Sequence, residues 1–234
     1  MSDVAREATA TDLRDSPAYT LTEAARYLKL APATLRSWML GRDYPTAEGG
    51  AHFPPLILPA STQPPLLSFW NLVEAHVLRS LRTDHGVSVQ ALRQSLDYAQ
   101  EQLHIRRLLL RKELRTTAGQ VFLDNYGQLI NLSASGQLAM RRLFKEHLKR
   151  VVWDKDMFPI RLYPFTSADT LTAEHLIVID PQISFGRPVL LGAGVSTAAI
   201  ADRIDAGEAV KHLAADYELT SAKIEQAVLY ERAA

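Results

Sequence analysis

The stretch YTLTEAARYLKLAPATLRSWM, residues Tyr19–Met39, gives the best structural signal in the sequence. Its opening has the form of a capping box, in which Thr20 and Glu23 each accept a hydrogen bond from the other's backbone N–H. Four apolar residues then fall on one face at helical spacing. These residues are Leu21, Ala24, Ala25 and Leu28. The pattern predicts an amphipathic helix that begins directly after Thr20.

A second helix is predicted from Pro32 to Leu40, because the missing N–H of a proline costs nothing in the first turn of a helix. Leu35 and Trp38 would form its buried face. Two short helices joined by about four residues form a helix-turn-helix, whose second helix can enter the major groove of DNA. The predicted DNA contacts are Thr34, Arg36, Ser37 and, just beyond the helix, Arg42.

This stretch resembles the N-terminal helix-turn-helix of MerR-type regulators. The positions that match the family's pattern are Tyr19, Glu23, Ala24, Ala25, Pro32, Thr34, Leu35, Arg36 and Trp38. The chain departs from the pattern at Ser37-Trp38, where the family usually has an aromatic residue followed by glutamate. The resemblance implies a wing after the second helix and a further helix pair after the wing.

The segment 41–67 contains six prolines and three glycines, so it cannot be helical, although its apolar pieces can form short strands or lie extended over a core. The family's wing would fall here. Ser68 then has the place of a cap for an amphipathic helix over 69–81, and Ser88 that of a cap for another over 89–103. The sequence therefore predicts two helices, an extended segment with a wing, and two more helices.

From residue 104 the hydrophobic period changes. RRLLLRKEL, residues 106–114, could be strand or helix, and we favour a strand because a hairpin is predicted at 121–123 and 128–132. A helix over 136–153 follows, and a short strand lies within 158–165. The predicted inward residues of this helix are Leu138, Leu143, Phe144 and Leu148.

The last part of the chain reads as two short strands, 176–179 and 189–191, followed by three helices, 197–205, 208–215 and 220–230. Between the strands and the helices, GAGVST has Thr197 where a dinucleotide-binding loop needs a third glycine, and no lysine is present for a P-loop. We therefore interpret this stretch as a turn. The exposed face of the last helix, a possible second contact for DNA or protein, would carry Ser221, Lys223 and Gln226.

This C-terminal segment resembles a small bacterial domain family found in antitoxins. The positions that match the family's pattern are Asp180, Pro181, Gly186, Pro188, Gly192, Val195, Ala206, Gly207 and Tyr217. The match covers about fifty-five residues, which makes it far more specific than a glycine pair alone. The resemblance implies a strand pair that leads into a small helical domain.

The net charge of zero hides an asymmetry along the chain. Residues 104–165 carry 12 Lys and Arg against 5 Asp and Glu, a net of +7, between ends of −2 and −5. A basic middle predicts an anionic partner, or packing of the middle against the acidic ends. Cysteine is absent, and no apolar run approaches the roughly 18 residues of a membrane span. Residues 1–17 do not contain the apolar h-region of a signal peptide, so we expect none. We expect a soluble, cytoplasmic protein.

No pattern of a catalytic site was found, and the seven histidines do not show metal-ligand spacing. We therefore predict no enzyme, no metal and no cofactor. The predicted fold is mainly α with small β elements, an α+β class. Its parts are a flexible tail (1–16), a winged helix-turn-helix domain (17–104), a basic α/β segment (105–166), and a C-terminal β-hairpin with three helices (167–234).

The two resemblances together imply a VapB-type antitoxin, usually a dimer, which binds the double-stranded DNA of its own operator and neutralises a PIN-domain ribonuclease toxin. Because PIN nucleases hold metal with clustered carboxylates, arginines of the basic segment could pair with them. The candidates are Arg106, Arg107, Arg111 and Arg115. The alternative is a stand-alone MerR-like transcription regulator with a small ligand between its domains, whereas a nucleic-acid-processing enzyme lacks any residue constellation.

Overall fold

The computed structural model describes residues 12–46, 49–82, 89–104, 107–111, 122–124, 134–156, 158–165 and 175–233. The helices are α1 (Leu21–Leu28), α2 (Pro32–Leu40), α3 (Phe69–Arg82), α4 (Val89–Leu103), α5 (Ala134–Lys149), α6 (Thr197–Asp205), α7 (Val210–Asp216) and α8 (Ser221–Arg232). Short 3-10 turns lie at Leu13–Asp15, Leu108–Leu110 and Ser184–Gly186. The predicted α+β class, with a helix-turn-helix at its N-terminal end, is confirmed.

The described strands are short and antiparallel. They are β1 (Tyr19–Thr20), β2 (Arg42–Thr46), β3 (Gly49–Phe53), β4 (Ser61–Thr62), β5 (Pro65–Leu67), β6 (Val151–Trp153), β7 (Pro159–Leu162), β8 (Ile177–Val178) and β9 (Val189–Leu190). β1, β5 and β4 form one sheet in that order, and β2–β3, β6–β7 and β8–β9 form hairpin-like pairs. A bridge between Leu162 and Ile179 links the end of β7 to the C-terminal pair.

α3 lies at the centre of the main hydrophobic core. Its residues Leu72, Val73 and Leu78 are fully buried, and the helix packs against α1, α5 and the turns at Leu13–Asp15 and Leu108–Leu110. The same core includes residues of the helix-turn-helix and of the basic middle, while α6, α7 and α8 close a second core over β8 and β9. The predicted boundary at 104/105 therefore does not separate two hydrophobic cores.

Most local predictions for the ends of the chain are confirmed. The capping box of α1 is present, and the Ser68 hydroxyl accepts a hydrogen bond from the Asn71 N–H at 3.2 Å at the start of α3. Ser88 lies outside the described residues. Of the predicted tail, residues 12–16 contain the turn Leu13–Asp15, capped by the side chain of Asp12, and residues 1–11 are not described.

The central segment needs three corrections. Leu108–Leu110 is a 3-10 turn and not a strand, because all three leucines are buried at 3 % exposure or less, whereas a strand turns alternate side chains to opposite faces. Residues 122 and 123, predicted as part of the strand 121–123, are helical together with residue 124, and Phe122 and Leu123 are both buried. The rest of that predicted hairpin lies outside the described residues.

The third correction concerns the helix predicted over 136–153. α5 ends at Lys149, and Val151–Trp153 forms β6, which pairs with β7, as the β-branched Val151 and Val152 favour. Phe144 and Leu148 face the core as predicted, but the Leu138 side chain is 70 % exposed, so its predicted inward position is wrong. Within the described part of the chain, no helix combines the length and apolarity that a bilayer span requires.

Candidate nucleic-acid interface

The turn between α1 and α2 fixes the geometry of the helix-turn-helix. The Thr20 N–H donates to the Glu23 carboxylate at 2.9 Å, and the Glu23 N–H donates to the Thr20 hydroxyl at 3.2 Å. At the other end Lys29 adopts a left-handed conformation, with φ of 53°, and its N–H closes α1. Because a left-handed residue stops a helix abruptly, residues 29–31 can redirect the chain into α2 within one short turn.

α2 buries one face and exposes the other. Leu35 and Trp38 are completely buried in the core that α1 shares. Arg36 is exposed, and it makes no ion pair with any residue that the structure describes, while Thr34 and Ser37 are half-buried. The outer face of α2 therefore presents the guanidinium of Arg36, unpaired among the described residues, beside the hydroxyls of Thr34 and Ser37. Guanidinium and hydroxyl groups donate hydrogen bonds to phosphates and base edges.

A β-hairpin follows α2 directly and forms the predicted wing. Gly41 makes the connection at φ of 80°, where a Cβ would lie 2.3 Å from the carbonyl oxygen of Phe53. The Tyr44 and Phe53 rings stack with their centroids 4.1 Å apart, which holds β2 on β3. Arg42, the first residue of β2, is exposed. The structure thus places the four predicted DNA contacts on α2 and on the strand that leaves it.

The C-terminal unit is attached to the inner side of the helix-turn-helix. The buried Tyr230 donates from its hydroxyl to the Tyr27 carbonyl at 2.9 Å, and the Lys29 ammonium donates to the Tyr230 carbonyl. Burial lowers the pKa of Lys29 to about 8. The Tyr19 hydroxyl donates to the Gly186 carbonyl at 3.1 Å. The end of α8 is therefore held against α1.

The predicted second contact face lies at the opposite end of α8. Ser221 is exposed, and Lys223 and Gln226 are half-buried. The hydroxyl of Thr220 caps this end by accepting from the Lys223 N–H. The sequence could not have predicted the docking of α8 on α1, because Tyr27 and Tyr230 are separated by 203 positions and neither is a position that matches one of the two family patterns.

Two of the predicted toxin-contacting arginines are used inside the chain. The Arg107 guanidinium forms two hydrogen bonds with the Glu74 carboxylate, at 3.1 and 2.9 Å, and another with Asp15 at 2.9 Å. Burial raises the pKa of Glu74, and the bond from Arg107 opposes that rise. The Arg111 guanidinium lies 4.7 Å from the centroid of the Phe158 ring.

Arg107 and Arg111 thus make contacts within the chain, and Arg106 and Arg115 lie outside the described residues.

In the glycine turn, Gly192 and Gly194 have φ of 86° and 67°, and no heavy atom within 4 Å would meet an added Cβ at either position. Both glycines therefore serve the turn into α6. Among the described residues no group of three or more acidic, histidine or cysteine side chains could hold a metal ion.

The fold and this surface define a class: a winged helix-turn-helix protein with a small C-terminal helical domain. Residues 17–96 match the family described as "Putative DNA-binding HTH domain". Residues 177–230 match the family described as "Protein of unknown function (DUF433)". The two matched regions correspond to the two ends of the chain that carried the sequence resemblances.

Nearly the whole chain is similar to proteins of Mycobacterium tuberculosis. It is 29 % identical to "Putative antitoxin VapB45", over 92 % of this chain and 93 % of that protein, and 24 % identical to "Uncharacterized protein Rv2308", over 95 % and 93 %. The crystal structure of Rv2018 from the same organism superposes with a TM-score of 0.63 at 24 % identity, over 91 % of this chain and 97 % of that one. That likeness shows the fold, and together these findings support an antitoxin-like helix-turn-helix protein.

Proposed function

We propose that this protein is a DNA-binding antitoxin of the VapB type, which binds its own operator, represses its operon and neutralises a PIN-domain ribonuclease. The observation that carries the proposal is the exposed outer face of α2, with the uncommitted Arg36 beside a β-hairpin wing. The similarity of nearly the whole chain to a protein named as an antitoxin supports the toxin partner.

In this proposal α2 lies in the major groove. A guanidinium that donates to both O6 and N7 of a guanine distinguishes that base from the other three, so Arg36 has the role of base reader. The hydroxyls of Thr34 and Ser37 donate to phosphates, and Arg42 on the wing donates to the backbone beside the groove. This arrangement resembles that of MerR-type regulators. We further propose a homodimer, because two copies related by a two-fold axis can read the two halves of a palindromic operator.

The stand-alone regulator remains the second candidate function, and one observation favours it. A cavity of about 450 Å³ lies between α3, α4 and the loop before β4, with an apolar wall that includes Ile57, Leu96 and Leu109. Its other side is polar and is lined by Asp15, Glu74, Asp97, Gln100 and Arg107. A cavity of this size, with an apolar wall and polar groups that could orient a ligand, could hold a small molecule. In that case a small ligand, and not a toxin, would control DNA binding.

Arg36→Ala is expected to weaken binding to the DNA upstream of the gene by about 1–3 kcal/mol, or roughly 5- to 150-fold, because the variant loses a bidentate base contact. Fluorescence anisotropy with labelled duplex measures the affinity at fixed salt. Arg232→Ala, an exposed arginine on α8, is the matched control and should bind as the wild type does. Unchanged affinity in both Arg36→Ala and Arg42→Ala would exclude α2 and its wing as the reading surface.

A further inference from the structure

One face of α5 carries a row of exposed side chains on the surface of the basic middle segment. The row consists of Leu138, Arg142, Lys145 and Lys149, which we call the α5 stripe. Their spacing of four, three and four positions places them on one side of a helix. Such a row is a continuous surface about three turns long, with an apolar end and a basic end.

The opposite face of α5 is fixed in the core. Phe144, His147 and Leu148 are buried, and the His147 carbonyl accepts a hydrogen bond from the His76 ring on α3, at 3.1 Å if that nitrogen carries the proton. Because α5 is held by this face, the α5 stripe is presented on a rigid element. A rigid surface loses little conformational entropy when a partner covers it.

Most other described cations of the basic middle have intramolecular tasks. Arg107 pairs with Glu74, Arg161 pairs with Asp180 at 2.8 Å, and the buried Arg150 lies 4.1 Å from the centroid of the Phe165 ring. The charges of Arg107 and Arg161 are compensated by carboxylates, and the charge of Arg150 is buried. These three residues therefore add to the net charge of the segment without offering an exposed, uncompensated cation to a partner.

The α5 stripe presents that charge. Lys149 pairs with Glu146 at 2.7 Å, whereas Arg142 and Lys145 form no ion pair with the residues that the structure describes. Two exposed, uncompensated cations one turn apart create a local positive potential, although the chain as a whole has a net charge of zero. An anionic surface would therefore be attracted to this place and not to the protein in general.

We propose that the α5 stripe is the docking surface for a protein partner with an acidic face. A protein is favoured over a nucleic acid because the stripe continues into Leu138, which is 70 % exposed. An apolar side chain gains free energy when another protein removes it from water, and it has no partner on a phosphate backbone. α5 packs on α3 and β6, whereas the predicted DNA contacts lie on α2 and β2, so the two surfaces occupy different elements.

The identity of the partner as the toxin rests on the proposed function, but the chemistry of the surface does not.

The probe is a short fluorescein-labelled polyglutamate peptide, and its binding to the full chain is measured by anisotropy at increasing salt. The test variant is Arg142→Glu with Lys145→Glu, and the milder pair Arg142→Gln with Lys145→Gln covers the case in which the reversal unfolds α5. The control reverses two exposed lysines elsewhere, Lys155→Glu with Lys211→Glu, for the same change in net charge.

We expect the wild type to bind polyglutamate at low salt, with an affinity that falls as salt rises, and the α5 reversal to weaken binding about tenfold more than the control does. Affinity for duplex DNA should be the same in the α5 reversal and the control. Equal loss in the two reversals, or no binding by the wild type, overturns the proposal. An equal loss of polyglutamate and duplex affinity in the α5 reversal would identify a phosphate-binding surface instead. None of these outcomes decides whether α2 reads DNA or whether a toxin is silenced, so failure here is distinguishable from failure of the proposed function.

Discussion

Gly186→Ala is expected to lower the free energy of unfolding by about 2–5 kcal/mol, since it combines backbone strain with overpacking at the contact between the two ends of the chain. Gly186 has φ of 74°, and an added Cβ would lie 2.0 Å from the hydroxyl oxygen of Tyr19. That hydroxyl donates to the Gly186 carbonyl, so the new methyl group would also displace a buried hydrogen bond. Thermal or urea unfolding followed by circular dichroism measures the change.

Gly207→Ala is the matched control for backbone strain. Gly207 has φ of 96°, but no heavy atom within 4 Å would meet its Cβ, so only the conformational cost of about 1–2 kcal/mol is expected. Adding Tyr19→Phe to Gly186→Ala removes the clashing oxygen and should recover part of the lost stability. If Gly186→Ala and Gly207→Ala are equally stable, the Tyr19 contact does not hold the C-terminal unit against the helix-turn-helix.

Arg107→Glu is expected to cost about 2–3 kcal/mol of unfolding free energy, because it removes the partner of the buried Glu74 carboxylate; the loss is smaller than for a fully buried pair, since the Arg107 side chain is 36 % exposed. The new carboxylate would face both Glu74 and Asp15, the two acids that Arg107 now pairs with. Glu74 has only 6 % of its side chain exposed, so water screens its repulsion from a carboxylate at position 107 less than it screens the repulsion between that carboxylate and Asp15. Chemical unfolding at neutral pH measures the loss.

Arg111→Glu is the control for Arg107→Glu, because it makes the same change of charge four positions away. Its guanidinium contact with the Phe158 ring is worth about 0.5–1 kcal/mol at a partly exposed site. The expected result is a large loss for Arg107→Glu and a small one for Arg111→Glu. Similar losses in the two variants would show that the network of Arg107 with Glu74 and Asp15 does not stabilise the fold.

The helix-turn-helix could be predicted from the sequence because its signals are local. A capping box at Thr20, a proline at the first position of α2 and helical spacing of apolar residues each act within one or two turns. The strand pair and three helices of the C-terminal unit were predictable for the same reason. In that unit the capping residues and the turn glycines with positive φ are adjacent in sequence to the helices and strands that begin or end at them.

The basic middle could not be predicted in the same way, because partners distant in sequence determine it. Leu108–Leu110 forms a 3-10 turn because α3 and α4 offer a core on which three successive leucines can be buried. Arg107 is directed inwards by Glu74, which lies 33 positions earlier. A charge count along the chain cannot separate Arg107, which is paired with two carboxylates, from Arg142, which forms no ion pair with the residues that the structure describes. The sequence therefore indicated an excess of positive charge but not the surface that presents it.

The candidate DNA interface includes one feature that local sequence signals predicted and one that depends on contacts between distant parts of the chain. Arg36 was assigned to the outer face of α2 by helical periodicity, and the structure places it there because Leu35 and Trp38 occupy the core. The attachment of Tyr230 and Lys29 behind α1 was not predictable, since it joins residues near opposite ends of the chain. It follows that the C-terminal unit could influence the position of α1, and through the short turn at residues 29–31 the position of α2.

In the function that we propose, this protein neutralises a ribonuclease while its helix-turn-helix reads DNA. The most direct test of that function is an RNA-cleavage assay in which the protein encoded by an adjoining reading frame is purified and then titrated with this chain. The proposal predicts that the adjoining protein cleaves RNA alone, forms a stable complex with this chain and loses its activity as the complex forms. Cleavage that continues unchanged at saturating amounts of this chain, with no complex on gel filtration, would contradict the claim and favour the stand-alone regulator.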